Sequence, residues 1–233
     1  MIATYKLSEK LASFEFFYWL VLVQSQGATK VVFDTRNPKL KNFTPGDVKR
    51  RFHSILEPGP ALAGMRGYIG STQTEVKATA SDLIPWVRAG NVFKRLRSIK
   101  PPVDCLYTVT IRDNRAGAPG RNSNREVWTQ FANQIGAVLI DDYYDKPIHL
   151  HDRVALYAGA KMNFGVCNGP MHMLSLTPYP MAMFVNTESA RGSSIKTRLP
   201  AGEKLPWMLS NQHVIWKKDK SVDDLLQTLM EIK

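Results

Sequence analysis

The chain has 233 residues, of which 44% are hydrophobic and 22% are charged, and this composition excludes a globally disordered protein. Its length suits two small domains. The formal net charge of +11 favours anionic partners: nucleotide phosphates, acidic glycans, nucleic acid or an anionic membrane surface. Its two cysteines, Cys105 and Cys167, form no CxxC pair, which argues against a zinc site or a disulfide framework and is typical of a reducing compartment.

The first part of the chain alternates strand-like and helix-like stretches. We predict a strand at Ile2–Leu7, a helix at Phe14–Gln26 that ends at Gly27, and a strand of the buried parallel type at Lys30–Asp34. The apolar run within the helix is far shorter than the roughly 20 residues of a transmembrane span, so we expect a buried helix. A signal peptide is not evident either, so a cytoplasmic protein is expected, with peripheral membrane contact as an option.

Prolines and glycines divide the next stretch. A helix is predicted at Asp47–Leu56 and should be stopped by the sequence Pro58-Gly59-Pro60. A strand is predicted at Met65–Ile69. A second helix is predicted at Thr74–Val87, where Pro85 should end or kink it.

The sequence Lys100-Pro101-Pro102 interrupts this pattern, so the predicted domains are residues 1–100 and 101–233. The second half continues with predicted strands at Cys105–Arg112, Ala137–Asp141, Lys161–Val166, Pro180–Val185 and Gln212–Trp216, and predicted helices at Arg125–Ile135, His151–Ala158, Asn168–Leu176 and Ser221–Ile232. Short alternation of strands and helices is typical of βαβ units. The predicted fold is therefore α/β, with two Rossmann-like parallel-sheet halves that face a cleft.

A polar loop follows the strand that ends at Arg112. It contributes further arginines and small polar residues before the next helix: Arg115, Arg121, Asn122, Ser123, Asn124 and Arg125. Either Ser123 or Asn122 is the expected helix cap. Guanidinium groups beside the free N–H groups of a helix start would suit a phosphate or diphosphate. The alternative is a solvated basic loop with a conventional cap.

A second polar turn follows the strand Lys161–Val166. The residues that could hold an anion there are Gly165, Asn168, Gly169, Pro170 and His172. Pro170 would occupy the first turn of a helix, where its missing N–H costs nothing. The alternative is an ordinary strand-to-helix turn with a structural histidine.

A third polar loop, which contains Thr187 and Glu188, follows the predicted strand Pro180–Val185. If the sheet is parallel, the three loops converge at one edge, and that edge is the predicted ligand site. No metal site is predicted, because His149, His151 and Asp152 have no further ligand at a set spacing. The basic run Lys94–Lys100 suits either a solvated face or nucleic-acid binding.

The order of these features resembles the C-terminal half of GT-B glycosyltransferases, with heptosyltransferases and nodulation-type fucosyltransferases as the nearest comparisons. The stretch Gly165–His172 is similar to the small-residue turn that holds the donor's nucleotide diphosphate in the former. The strand ending VTIR is similar to the basic strand end of the latter, with Arg112 in the place of the pyrophosphate-binding arginine and Thr110 in the place of a histidine.

This resemblance implies an enzyme that transfers a sugar from a nucleotide-diphosphate sugar to a glycan or lipid-linked acceptor, without a metal or other cofactor. It implies that residues 101–233 form the donor half and residues 1–100 the acceptor half. It also implies that Arg112 and Arg121 stabilise the leaving diphosphate and that a carboxylate of the acceptor half, Asp34 or Glu15, is the base. The alternative is a noncatalytic nucleotide- or polyanion-binding protein, and nucleic-acid binding is the weaker form of it.

Overall fold

The computed structural model describes residues 1–6, 14–34, 49–50, 52–70, 80–112, 122–141, 148–185, 200, 202–216 and 221–232. The contacts within the chain divide it into two compact units. Unit 1 comprises Met1–Pro101, Tyr144–Ala155 and Leu176–Pro178, and unit 2 comprises Pro102–Tyr143, Leu156–Ser175 and Tyr179–Lys233. The first change of unit therefore falls between Pro101 and Pro102, and two short later segments return to unit 1.

Unit 1 contains a three-stranded parallel sheet in the order β1-β2-β3. The strands are β1 (Ile2–Lys6), β2 (Lys30–Asp34) and β3 (Arg66–Ile69), and they confirm the three strands predicted for this half. Apolar, β-branched and aromatic residues favour strands because they pack well on a pleated surface, and β2 follows this rule.

Helix α1 (Phe14–Ser25) connects β1 to β2, and its residues from Phe16 to Val23 are all apolar or aromatic. All side chains from Phe16 to Val23 are buried, as a helix without a polar face requires. The ring of Tyr5 in β1 lies 4.9 Å from that of Phe16 and 5.0 Å from that of Trp19, measured between centroids. The helix also contacts the helical segment that begins at Ala80. The predicted buried helix is therefore confirmed.

Prolines bear on both helices predicted for this part of unit 1. Of the helix predicted at Asp47–Leu56, residues 49–50 are α-helical and Phe52–Leu56 forms a π-helical turn, and it ends before Pro58-Gly59-Pro60 as predicted. The short helix α2 (Gly59–Leu62) begins there. The prediction for Pro85 is wrong. Pro85 does not end a helix but lies in the first turn of α3 (Leu83–Arg88), where its missing N–H has no helical partner to lose.

Unit 2 contains a five-stranded parallel sheet in the order β5-β4-β6-β7-β8. The strands are β4 (Cys105–Ile111), β5 (Val138–Asp141), β6 (Ala160–Val166), β7 (Met181–Phe184) and β8 (Gln212–Ile215). Each lies within one residue of its predicted bounds at either end. The chain is therefore an α/β protein with two parallel, Rossmann-like sheets.

Four helices accompany this sheet: α4 (Arg125–Gln134), α5 (Leu150–Gly159), α6 (Gly169–Leu174) and α7 (Val222–Glu231). On one face of the sheet, α4 and α7 cover an aromatic core. The rings of Trp128 and Phe184 lie 5.2 Å apart in an edge-to-face arrangement, and those of Phe131 and Phe164 lie 5.3 Å apart. Such pairs stabilise the core beyond their burial alone.

The opposite face of the same sheet carries buried polar contacts. The hydroxyl groups of Thr110 in β4 and Tyr157 in α5 are 2.8 Å apart. Asn163 in β6 accepts a hydrogen bond from Thr108 and donates two, to the carbonyl groups of Tyr157 and Pro180. Because a buried polar group is costly unless it is paired, these bonds fix α5 and the residue before β7 against β4 and β6.

Candidate functional site

The connections of unit 2 diverge at the carboxyl ends of β4 and β6. β4 leads to β5 on one side, and β6 leads to β7 on the other, while β4 and β6 are themselves neighbours. In open α/β sheets such a switch point leaves a crevice, and ligands bind there. The residue that follows β4 is Arg112, and the residue that follows β6 is Cys167.

Arg112 is half-buried, and the base of its loop is held closed by Ser123. The backbone N–H of Arg112 donates to the Ser123 hydroxyl oxygen (2.8 Å), and the Ser123 N–H donates to the Arg112 carbonyl (2.9 Å). Nη1 of Arg112 donates to Oδ1 of Asn122 (3.1 Å). Ser123 therefore holds the end of β4 beside the start of α4, and Asn122 orients the guanidinium group.

The start of α4 is exposed to solvent and is capped by Asn124, so the prediction of Ser123 or Asn122 as the cap is wrong by one or two residues. Oδ1 of Asn124 accepts from the N–H of Val127 at 3.4 Å. Glu126, in the first turn, is exposed and already complements the positive end of the helix. Binding of an anion at this edge would therefore depend on Arg112 more than on the helix start.

The β6–α6 turn uses its polar groups internally. Oδ1 of Asn168 accepts from the N–H of Met171 at 3.0 Å and caps α6, while Pro170 lies in the first turn as predicted. Asn168 is buried, and Gly169 and Pro170 are half-buried. α6 has only six residues, so its helix dipole is small.

His172 is also buried, with 2% of its surface exposed. Its Nε2 lies 3.3 Å from Sγ of Cys167, and its carbonyl accepts from the hydroxyl of Ser175, which in turn accepts from the indole N–H of Trp207. These contacts link the turn to the segment before β8. Buried hydrogen bonds of this kind are typical of a structural histidine. They therefore favour the alternative interpretation of His172, that of a residue that serves the fold.

Gly165 has a packing reason to be glycine. It is paired in register with Thr110 across β4 and β6. A Cβ atom there would lie 2.8 Å from Sδ of Met171 and 2.9 Å from the carbonyl oxygen of Thr110. The glycine therefore lets α6 approach the sheet closely.

An ion pair that was not predicted lies at the same edge of the sheet. Asp141, the last residue of β5, is in register with Ile111, and its Oδ2 pairs with Nη2 of Arg125 at the start of α4. Its Oδ1 is buried and accepts no hydrogen bond within the described residues. The sequence shows both Asp141 and Arg125. Their pairing could be recognised only once the strand order placed β5 beside β4.

The candidate carboxylates of the first half lie in unit 1. Asp34 is half-buried at the carboxyl end of β2, the position at which parallel sheets present ligand-binding groups. Glu15 is the second residue of α1, and its side chain lies outside the described part of the chain. Asp34 therefore has the better position for a base.

Three further predicted site residues, Arg121, Thr187 and Glu188, lie outside the described residues. Within the described ranges, no group of three or more His, Cys, Asp or Glu side chains could hold a metal ion. Over the same ranges, no helix is both long enough and apolar enough to cross a bilayer.

The structure thus places several predicted site residues at one edge of the unit 2 sheet: Arg112, Asn122, Ser123, Asn124 and those of the β6–α6 turn. Arg112 and Asn122 offer the side-chain groups best suited to an anion, whereas the β6–α6 turn uses its own polar groups. Comparisons of this chain with models of protein families, with curated proteins and with solved structures found no match.

Proposed function

We propose that this chain is a glycosyltransferase and that it binds the diphosphate of a nucleotide sugar at the switch point between β4 and β6. The observation that carries the proposal is the position of Arg112. It follows β4 directly at the edge where open α/β sheets bind ligands, and its guanidinium group is oriented by Asn122. The net charge of +11 would help to attract such an anion.

Arg112 supports this chemistry because charge develops on the leaving group during sugar transfer. When the bond between the anomeric carbon and the diphosphate breaks, the diphosphate oxygens gain negative charge. A guanidinium group fixed beforehand beside these oxygens stabilises that charge more than it stabilises the bound substrate. Two parallel N–H donors also match the geometry of a phosphate. This role of Arg112 does not require a metal ion.

The acceptor hydroxyl must lose a proton as it attacks the anomeric carbon. In the proposed GT-B arrangement, where two Rossmann-like halves face a cleft, a carboxylate of the first half would accept that proton. Asp34 is our first candidate because it ends β2, and Glu15 is the second. A glycan or a lipid-linked acceptor would supply the hydroxyl.

A second candidate function is nucleotide or polyanion binding without catalysis. The observation that favours it is the burial of His172 and Asn168. In the turn that resembles a donor site, these side chains contact other groups of the protein. Such a protein would retain the Arg112 site and lack turnover. Nucleic-acid binding is a further form of this alternative and would be strongly salt-dependent.

Thermal unfolding with a panel of nucleoside diphosphates and nucleotide sugars tests the binding step. A ligand at 100 times its Kd stabilises the native state by about 2.7 kcal/mol, which shifts the midpoint visibly. We expect a shift with one nucleoside diphosphate that is lost in Arg112→Ala and kept in Arg66→Ala, which removes an exposed arginine of unit 1. No shift with any nucleotide would contradict the proposal.

Release of nucleoside diphosphate from the sugar donor that binds tests the chemical step. We expect turnover in the wild type and its loss in Asp34→Asn, with the thermal shift of that variant unchanged. Binding that depends on Arg112 without turnover on any acceptor would favour the noncatalytic alternative. Stabilisation by DNA or RNA alone would instead favour a polyanion-binding protein.

A further inference from the structure

Residues 92–100 form a segment of unit 1 without regular secondary structure. Two buried side chains, Phe93 and Leu96, anchor it. The N–H of Leu96 donates to the carbonyl of Leu176 (3.1 Å), and the N–H of Arg97 donates to the carbonyl of Leu62 (3.0 Å). The segment is therefore fixed to unit 1, while its Val92, Lys94, Arg97, Ile99 and Lys100 side chains are exposed.

The segment exposes two aliphatic side chains. Val92 is 87% exposed and Ile99 is 53% exposed. Exposed aliphatic residues are ordinary by themselves, so these two point to a partner only in combination with the charge of the same segment.

Cations lie between and beside these aliphatic residues. Lys94 and Arg97 are exposed and lie between them, and Lys100, which follows Ile99, is exposed and pairs with Asp152. From residue 83 to residue 103 the sequence contains Arg88, Lys94, Arg95, Arg97 and Lys100 and no Asp or Glu. The segment itself is therefore basic and also exposes apolar side chains, although Asp152 pairs with Lys100 at its end.

This combination favours a membrane surface over a nucleic acid. Binding to a nucleic-acid phosphate backbone gains from cations alone, because its free energy comes mainly from counterion release. Binding to an anionic bilayer gains from both features, since cations attract the headgroups and aliphatic side chains enter the boundary with the acyl chains.

We propose that the 92–100 segment docks unit 1 on a membrane surface that contains anionic phospholipids. Lys94 and Arg97 would contact the headgroups, and Val92 and Ile99 would enter the apolar boundary. This inference goes beyond the proposed function and does not depend on it, because the segment belongs to unit 1 and the Arg112 site to unit 2.

Co-sedimentation of the full chain with lipid vesicles tests the proposal. The vesicles consist of phosphatidylcholine alone or of phosphatidylcholine with about one third phosphatidylserine, at roughly 0.1 M salt. One variant, Lys94→Gln with Arg97→Gln, removes two cations of the segment. A second, Val92→Ser with Ile99→Ser, removes its apolar contacts and keeps its charge.

The matched control is Lys30→Gln with Arg66→Gln. It removes two exposed cations from β2 and β3 of the same unit, so its net charge equals that of the first variant. All three variants replace exposed side chains, and an unchanged unfolding midpoint will show that each remains folded.

We expect the wild type to bind only the vesicles that contain phosphatidylserine. The affinity should fall about fivefold for each cation lost from the segment, or about 25-fold for the pair, and the control should change it less than about twofold. The serine variant should weaken binding by about tenfold.

Three outcomes would overturn the proposal. The first is no binding to either vesicle. The second is an equal loss in the control, since binding would then follow net charge alone. The third is a serine variant that binds like the wild type while duplex DNA displaces the vesicles, which would mark the segment as a nucleic-acid surface.

Discussion

Two strand-to-helix turns meet at the switch point of unit 2, and they use similar residues differently. In the β4–α4 turn, Arg112 is half-buried and Asn124 caps a ten-residue helix in contact with solvent. In the β6–α6 turn, Asn168 and His172 are buried, and the helix has six residues. A short helix packed against the sheet leaves its polar groups no access to water, so the turn must satisfy them itself.

The comparison shows that a polar turn after a parallel strand is only a candidate ligand site. In the sequence, the two turns look similar. Each contains asparagine, glycine and proline, and each has a basic residue near a helix start. Burial distinguishes the β6–α6 turn, where Asn168 and His172 are buried, from the β4–α4 turn, where Arg112 is half-buried and Asn124 is exposed. Substitutions in and beside the two turns can refute or refine this distinction.

The largest effect should come from Gly165→Ala near the end of β6, where α6 packs against the sheet. The new Cβ would meet the carbonyl of Thr110 and the sulfur of Met171, so we expect a loss of about 3 kcal/mol in the free energy of unfolding. The control is Gly136→Ala after α4, where φ is +64° and no atom lies near, and there we expect about 1 kcal/mol. Urea denaturation measures both, and equal losses would remove the packing argument.

The next effect separates the two turns by ligand affinity. Arg112→Ala should weaken binding of the preferred nucleoside diphosphate by about 10- to 100-fold, since charge-assisted hydrogen bonds contribute about 1.5–3 kcal/mol. His172→Ala should lower the thermal stability and change the affinity less than about twofold. Isothermal titration calorimetry measures the affinities. A larger loss of affinity in His172→Ala than in Arg112→Ala would reverse our assignment of the two turns.

A smaller effect compares the helix caps. Asn168→Ala removes a buried 3.0 Å hydrogen bond to the N–H of Met171, and Asn124→Ala removes an exposed 3.4 Å bond to the N–H of Val127. We expect losses of about 2 and about 0.5 kcal/mol in the free energy of unfolding, because only the first leaves a buried donor without a partner. If chemical denaturation shows the reverse order, burial is not what distinguishes the caps.

The smallest effect concerns a third helix start, that of α5. His149 precedes this helix, and its Nδ1 accepts from the N–H of His151 at 3.3 Å, which requires the ring nitrogen to be unprotonated. Burial lowers the pKa of His149, as do the neighbouring His151 and Lys100, against the opposing effect of Asp152.

This lowered pKa makes the stability depend on pH in a definite direction. The unfolded chain takes up the proton near pH 6.5, whereas the folded chain does so only at lower pH, so stability is present above that value and is lost as the pH falls through the lowered pKa. His149→Asn keeps a capping oxygen and removes the titration. Unfolding midpoints of the two proteins between pH 7.5 and about pH 5 should therefore diverge below about 6.5, and parallel curves would contradict the prediction.

Most strands and helices could be predicted because their signals are local. All five strands of unit 2 fall within one residue of prediction, since each is a short apolar run between turn residues. The buried helix α1 was equally plain from its continuous apolar residues. Pro58-Gly59-Pro60 ended the preceding helix as predicted, but Pro85 misled because its position within a helix mattered. A proline stops a helix in its interior but is tolerated in the first turn, and the sequence does not say where the turn begins.

The candidate site could be predicted only in part. Arg112 was found because it ends a clear strand in an α/β pattern. Its neighbour Asp141 was missed, since its link to Arg125 depends on β5 lying beside β4. The role of His172 stayed open because the sequence pattern of a histidine near a helix start is the same whether the side chain is exposed or buried.

The sequence by itself determined the α/β class, the strands and the charge that favours anionic partners, because these follow from local periodicity and composition. Only the tertiary structure decided the strand order β5-β4-β6-β7-β8, and with it the location of the switch point. It also decided which polar side chains are buried and which remain accessible. Both depend on contacts between residues far apart in the chain, and no local pattern records such contacts.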